Sequence, residues 1–240
     1  MTINNSLSKE WHLATSPDIF PAKITSIEQA TKKIKTFRLN FGERSYMFRP
    51  GQWIDLYGPN DIGIGGYTIT SSINDQGFID LAVRESTTHP VTKYLHNEAR
   101  LGDEVMITEG QGKFFLTPEL MNVSLTLIAG GIGITPLLSM IRSVDKKKNP
   151  IKVFYSVSSD EDILFKEELA PFTIFTVTKT PTDQWNGETG RINLEFLKKH
   201  ECNFNSHFFI CGPRPLIDGL TKELQDFGIP KERIHFEKWW

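Results

Sequence analysis

A glycine-rich turn between two apolar segments contains the residues whose types and spacing best suit chemistry. The apolar run Leu125–Ala129 is followed by Gly130, Gly131, Ile132, Gly133, Ile134, Thr135 and Pro136, and then by a second apolar run. A buried strand that ends at glycines just before a helix leaves backbone N–H groups facing open space, where phosphate can approach without a Cβ in the way. The pattern therefore indicates a turn that holds a dinucleotide.

A second strand end of the same kind lies far downstream. The apolar segment His207–Ile210 runs into Cys211, Gly212 and Pro213. Parallel strands of one sheet bring such turns to the same edge, so we expect the two turns to form one site. The alternative is two ordinary strand ends, because glycines also end strands for steric reasons and the first turn departs from the usual G-x-G-x-x-G spacing.

The elements that position these turns change in character near residue 120. Short β-rich runs separated by Gly, Pro, Asn and Asp turns come first, with one helical interruption at Val91–Ala99, which is typical of an antiparallel barrel. Strands and helices then alternate, which predicts a parallel sheet with helices on both faces. We predict an extension at residues 1–20, an antiparallel β-barrel at residues 21–118 and a nucleotide-binding α/β domain at residues 119–240.

Composition excludes several classes of function. The net charge of −2 on 240 residues argues against nucleic-acid binding, and no apolar run approaches the eighteen residues of a membrane span. Two cysteines exclude a four-cysteine iron-sulfur site within this chain, and the histidines show no metal-ligand spacing, so we expect no metal. The N-terminus lacks a signal-peptide pattern, and we expect a cytoplasmic protein of undetermined oligomeric state.

Four segments together carry a resemblance to a known family: Pro50-Gly51-Gln52, Tyr67–Ser72, Gly130–Pro136 and Cys211-Gly212-Pro213. The chain resembles the ferredoxin-NADP reductase superfamily, and within it most resembles the oxidoreductase NAD-binding domain-containing protein 1 group. The resemblance implies that the barrel holds FAD and that the second domain binds NAD(P)H. It also implies hydride transfer to the flavin, followed by electron transfer to a separate acceptor, either a protein or a small molecule.

The resemblance further implies roles for single residues in the barrel. Tyr67 would lie against the flavin ring and Thr68 would hydrogen-bond near its reactive nitrogen, with Ile69 and Thr70 completing the motif. Thr92 would present its hydroxyl and a helix N-terminus to the flavin pyrophosphate. Taken alone, Tyr67 is also an ordinary strand aromatic and Thr92 an ordinary residue at a helix start.

Other roles follow for the second domain and the end of the chain. Gly131 and Thr135 would shape the nicotinamide pocket, and Cys211 would lie where nicotinamide and flavin meet; otherwise Cys211 is a small buried strand residue. In some family members an aromatic pair ends the sequence, and its first residue covers the flavin. Trp239 would be that cover, unless the tail merely docks on the barrel. The candidate catalytic residues are thus Thr68, Cys211 and Trp239.

Two positions depart from the family pattern. Gly65 stands where the family usually has an arginine that pairs with the pyrophosphate, and His89 stands where it has a glycine. Loss of both features weakens phosphate binding unless Arg84, Lys93 or His89 substitutes. The alternative function is therefore an NAD(P)-binding sensor or interaction module that has lost flavin binding.

The choice between NAD and NADP depends on the loop after the second strand of the α/β domain. Ser158 and Ser159 are followed there by three acidic residues, Asp160, Glu161 and Asp162, with no arginine for a ribose 2′-phosphate. Acidic groups repel that phosphate and accept a hydrogen bond from a free 2′-hydroxyl, which favours NAD over NADP. Acidic residues also begin helices, where they complement the helix dipole.

Overall fold

The computed structural model describes residues 18–238, and the first half of them forms a six-stranded antiparallel sheet. Its order is β4-β3-β6-β1-β2-β5. Alternate side chains of β1, such as Phe20, Ala22 and Ile24, are buried, while their neighbours are exposed, as expected for a strand with one face on a core. The strands are β1 (Ile19–Thr31), β2 (Ile34–Asn40), β3 (Trp53–Tyr57), β4 (Ile64–Thr68), β5 (Phe78–Arg84) and β6 (Glu104–Thr108).

The two edge strands of this sheet meet and close it into the predicted barrel. Ile69, just beyond β4, forms a bridge with Leu81 of β5, and the Thr70 N–H donates to the Asp80 carbonyl at 2.8 Å. Helix α1 (Pro90–Asn97) follows β5. Pro90 suits its first turn, because proline lacks an N–H that a helix start leaves unpaired anyway.

The second half forms the predicted parallel sheet, in the order β10-β9-β8-β7-β11-β12 with every pair parallel. All six residues of β7 are buried, as expected for a strand covered on both faces. The strands are β7 (Leu125–Gly130), β8 (Ile151–Val157), β9 (Thr173–Val177), β10 (Glu188–Thr189), β11 (His207–Gly212) and β12 (Ile234–Lys238). The helices are α2 (Ile134–Ser143), α3 (Lys166–Leu169), α4 (Leu194–Lys199) and α5 (Arg214–Asp226).

One apolar core cluster spans both halves, and the barrel also has a core of its own. The core on one face of the parallel sheet includes Ile34 and Ala82 of the barrel strands together with Met140 of α2. Phe114, in the connection between the halves, packs edge-on against Phe209 of β11 with ring centroids 5.6 Å apart. A hydrogen-bonded ion pair between Lys32 and Glu161 also joins the halves at the surface. This packing fixes the barrel against one face of the parallel sheet.

Candidate functional site

The predicted nucleotide turn links β7 to α2 and has one open side. Gly131–Gly133 forms a short 3₁₀ turn, and Gly131 has a φ of +56°, a conformation that favours glycine. A Cβ built on Gly131 meets no atom within 4 Å. The backbone at Gly131 is therefore accessible to a phosphate group, and this turn fits a dinucleotide.

The other glycines of the turn serve close packing between the two strand ends. A Cβ on Gly133 would lie 2.4 Å from the Cys211 carbonyl oxygen, and a Cβ on Gly130 would lie 2.6 Å from Cδ of Pro213. A Cβ on Gly212 would lie 2.8 Å from the Gly130 nitrogen. The structure thus brings the two predicted turns together, backbone against backbone.

Several predicted site residues of this turn are directed into the protein. The Thr135 hydroxyl donates to the Ile132 carbonyl at 2.8 Å, which braces the turn. Ile134 and Pro136 are buried at the start of α2, and the Cys211 side chain is fully buried on β11. These residues support the turn from the interior of the protein, while Gly131 and the half-buried Ile132 form its outer surface.

The predicted flavin segment centres on Tyr67, which is 8% exposed. Its hydroxyl lies 2.9 Å from the Thr92 hydroxyl, so β4 and the start of α1 are joined by a buried hydrogen bond. Burial raises the pKa of Tyr67 and keeps its hydroxyl protonated. A Cβ on Gly65 would lie 2.6 Å from the Tyr67 ring, so the absence of a side chain at Gly65 makes room for that ring.

The N-terminus of α1 is capped by the second residue that departs from the family pattern. His89 Nδ1 lies 3.4 Å from the Thr92 backbone nitrogen and 3.3 Å from the Thr92 hydroxyl. These distances are at the long end for hydrogen bonds, so a phosphate oxygen can compete with the imidazole for the same donors. His89, Thr92 and Tyr67 thus form one connected chain of hydrogen-bonding side chains between β4 and the start of α1.

The remaining predicted barrel residues lie around this chain. Thr68 is buried on β4, and Ile69 is buried with its N–H donating to the Gln52 carbonyl at 3.0 Å. The Thr70 hydroxyl donates to the Asp80 carbonyl at 3.0 Å. Arg84 ends β5 as an exposed cation, five residues before His89. Thr70 is therefore tied to the closing edge of the barrel, and Arg84 is accessible to an anion.

Three contacts between α2 and the barrel were not predicted from sequence. The Ser139 hydroxyl donates to the Ser71 carbonyl at 2.9 Å, and Nη1 of Arg142 donates to the Thr70 carbonyl at 2.9 Å. The Ile73 N–H donates to the Ser143 hydroxyl at 3.1 Å. The only sequence signal is that residues 139, 142 and 143 share one face of a helix.

The acidic loop after β8 is held by neighbours on two sides. Asp160 accepts hydrogen bonds from the backbone N–H and the hydroxyl of Thr182, each at 2.8 Å, and the backbone bond lowers the pKa of Asp160. Glu161 pairs with Lys32, while Ser158 is exposed and its carbonyl accepts the Thr180 N–H. Asp160 therefore stays ionised beside the exposed Ser158.

Trp239 lies outside the described residues, and the expectation that it covers the flavin stays a prediction. The described part of β12 ends at Lys238. A Cβ on Gly112 of the barrel would lie 3.6 Å from Oε1 of Glu237, so this strand reaches the barrel surface.

Between residues 18 and 238 there is no group of three or more His, Cys, Asp or Glu side chains placed to hold a metal ion. Nor does that stretch contain a helix long and apolar enough to cross a membrane.

Comparison with known proteins identifies both halves. Residues 21–116 match the oxidoreductase FAD-binding domain family, and residues 127–222 match the oxidoreductase NAD-binding domain family. Oxidoreductase NAD-binding domain-containing protein 1 of Pongo abelii is 36% identical over 250 residues, covering 91% of this chain and 79% of that protein. This chain belongs to that family. Its cofactors are therefore FAD and NAD(H), as the sequence predicts.

A further relative and a solved structure are also similar to this chain. NADH-cytochrome b5 reductase 1 of Aspergillus terreus is 29% identical over 187 residues, covering 71% of this chain and 62% of that protein. The structure of the CS-b5R domains of human Ncb5or in the NAD⁺ form superposes with a TM-score of 0.82 at 21% identity, covering 94% of this chain and 71% of that one. The structural similarity confirms the two-domain fold of this family member.

Proposed function

We propose that this family member is a flavoprotein reductase that takes hydride from NADH and passes electrons to a separate acceptor. One observation carries the proposal: helix α2 begins at the open nucleotide turn, and its side chains contact the carbonyls that directly follow Tyr67–Ile69. The two cofactor-binding segments are therefore held against each other by a single rigid element, as hydride transfer requires. Bound FAD supplies the redox chemistry.

The residues of the chain have four tasks in this proposal. Gly131 leaves its backbone accessible to the nucleotide phosphates, and the N-terminus of α1 offers the Thr92 N–H and hydroxyl to the flavin pyrophosphate. Tyr67 supports the flavin ring, with Thr68 beside the position where hydride arrives. The buried contacts around Cys211 exclude water from the meeting point of the two cofactors.

Two further parts of the proposal concern the nucleotide and the acceptor. The ionised Asp160 favours NADH, because its carboxylate repels a ribose 2′-phosphate, whereas the charge of Glu161 is compensated by Lys32. The proposal gives the electrons to a separate acceptor, since the two cysteines of this sequence are too few for a four-cysteine iron-sulfur cluster. The names of reductase relatives, such as NADH-cytochrome b5 reductase 1, support a protein acceptor.

The test begins with the purified protein and its absorbance spectrum. We expect a yellow protein whose flavin absorbance bleaches when NADH is added without oxygen, and more slowly when NADPH replaces NADH at the same concentration. Absorbance should return when a one-electron acceptor is added. A colourless protein that does not take up added FAD, yet binds NADH in calorimetry, would show instead a nucleotide-binding module without redox turnover.

A further inference from the structure

The polar face of helix α2 is directed at the backbone of the barrel segment that follows β4. Ser139, Arg142 and Ser143 lie three and four positions apart, so their side chains share one side of the helix. Between them they bond two carbonyls and one N–H of the barrel segment at residues 70–73. A surface helix ordinarily turns such residues to solvent.

These bonds replace strand pairing where β4 has already ended. The last residue of β4 is Thr68, and the Thr70 and Ser71 carbonyls accept their hydrogen bonds from α2. Ser139 and Ser71 are both at most 1% exposed, so water cannot take the place of the Ser139 hydroxyl. The backbone after the flavin segment is therefore held from two sides, by Asp80 of the barrel and by α2 of the nucleotide domain.

Arg142 is itself held in place by two neighbours. Its guanidinium makes a two-pronged ion pair with Glu168, with Nε–Oε1 and Nη2–Oε2 distances of 2.8 and 2.6 Å. It also lies over the Phe165 ring, 4.8 Å from the ring centroid. The third donor direction, Nη1, is then aimed at the Thr70 carbonyl. A guanidinium can satisfy all three partners at once, and an ammonium cannot.

We propose that Ser139 and Arg142 are positioning residues that set the separation of nicotinamide and flavin. The inference rests on the proposed function. The turn at Gly131–Gly133 fixes the start of α2 to the nucleotide, and Ser139 and Arg142, in its second half, fix the helix to the flavin segment. Reacting atoms must approach to about 3–3.5 Å, and a displacement of about 1 Å can slow a reaction about 100-fold.

The test compares Arg142→Ala with Arg38→Ala, a matched control. Arg38 also makes a two-pronged ion pair, with Asp80 at 2.8 and 2.9 Å, and lies over an aromatic ring, that of Phe78 at 3.9 Å. Unlike Arg142, it donates its hydrogen bonds to a side chain and to no backbone carbonyl of residues 70–73. We expect Arg142→Ala to slow the single-turnover reduction of bound FAD by NADH about tenfold or more. FAD content should stay unchanged and the Kd for NAD⁺ should change by less than about threefold. Arg38→Ala should match wild type in all three measurements.

Two further variants separate positioning from general damage. Arg142→Lys should recover part of the rate of flavin reduction that Arg142→Ala loses, because lysine keeps the positive charge but not the planar, two-pronged guanidinium. Ser139→Ala removes a single hydroxyl and decides the matter if Arg142→Ala does not fold. Equal rates in Ser139→Ala, Arg142→Ala and Arg38→Ala would overturn the inference while leaving the proposed function intact. Failure of NADH to reduce the wild-type flavin would overturn both.

Discussion

Gly131 and Gly133 lie two residues apart in one turn, yet a methyl group added to each would meet different surroundings. At Gly133 it would collide with the backbone of Cys211, whereas at Gly131 it would enter open space. Gly133 is therefore required by the fold, and Gly131 is the glycine whose replacement can test ligand binding while the packing is preserved.

Gly131→Ala should weaken NADH binding, because the new Cβ occupies the side from which phosphate approaches. The positive φ should also cost about 1 kcal/mol of folding stability. Gly42→Ala is the matched control, since Gly42 has a φ of +66° and equally open surroundings in the barrel. Calorimetry and thermal unfolding should show similar stability losses in both variants but weaker NADH binding only in Gly131→Ala. Equal NADH affinities in the two variants would contradict this assignment of the turn.

Gly65→Ala should alter the absorption and fluorescence of bound flavin, because its Cβ would lie 2.6 Å from the Tyr67 ring and push it aside. Gly66→Ala is the control on the adjacent residue, where a Cβ would make an ordinary 3.6 Å contact with Trp53. Identical flavin spectra in Gly65→Ala and Gly66→Ala would show that Tyr67 does not support the ring.

The two departures from the family pattern could be read from the sequence, but their consequences could not. The identity of Gly65 predicts a missing cation, whereas the structure adds that the Tyr67 ring occupies the space beside it. The sequence offers His89 as a substitute for that cation, and the structure also makes it the cap of α1. Both consequences depend on side-chain directions, which residue types alone do not specify.

At the scale of elements, β11 and β12 are joined by a pair of histidines as well as by their backbones. His207 Nδ1 and His235 Nε2 are 3.1 Å apart, and the ring planes differ by only 19°. His235 also stacks on Phe209 with ring centroids 4.4 Å apart. One ring must donate and the other accept, so the pair needs at least one neutral imidazole.

The histidine pair should make stability depend on pH. Burial lowers the pKa of both His207 and His235, and Arg233 lowers the pKa of His207 further. Because the unfolded chain binds these protons more readily, the stabilisation is complete above about pH 6.5 and is lost as the pH falls below that value. His235→Phe should retain stacking on Phe209 and reduce the fall in Tm between about pH 7 and pH 5. An unchanged fall in His235→Phe would contradict this role.

Periodicity predicted the elements in which local pattern and burial agree. The α/β half, in which strands and helices alternate, is predictable because fully buried runs such as Leu125–Ala129 lie between turn residues. β12 is not predicted because its sequence Ile-His-Phe-Glu-Lys has only two apolar residues, of which Ile234 is buried and Phe236 is 43% exposed. The contacts of Ser139 and Arg142 were missed because their partners are backbone carbonyls about seventy positions away, which no side-chain motif marks.

At the scale of the whole molecule, Met140 shows how far the two halves depend on each other. It belongs to the core of the parallel sheet, and its terminal methyl lies against Gly51 of the barrel, where a Cβ would approach it to 2.6 Å. The barrel turn at Pro50-Gly51-Gln52 thus packs directly on α2. Loss of this packing should therefore lower the stability of both halves together.

Met140→Ala should lower the free energy of unfolding by about 2–5 kcal/mol, the usual cost of a buried methionine deletion. Because the core is shared, both halves should still unfold in a single transition. Met106→Ala, on the barrel exterior with 38% exposure, is the control and should cost less than about 0.5 kcal/mol. Urea unfolding followed by tryptophan fluorescence and by circular dichroism tests this. Two separate transitions in the wild type would show that the halves are independent.

The closure of the barrel has a consequence for the way the molecule opens. Five pairs of neighbouring strands in the barrel are joined by regular backbone pairing. β4 and β5, in contrast, meet only through the Ile69–Leu81 bridge and a few hydrogen bonds around Thr70 and Asp80. Local unfolding proceeds where backbone bonds are fewest. The barrel therefore has a seam, and it runs directly beside the segment proposed to support the flavin. A cofactor bound there would contact both sides of the seam, so that binding of the cofactor also stabilises the closed barrel against local unfolding.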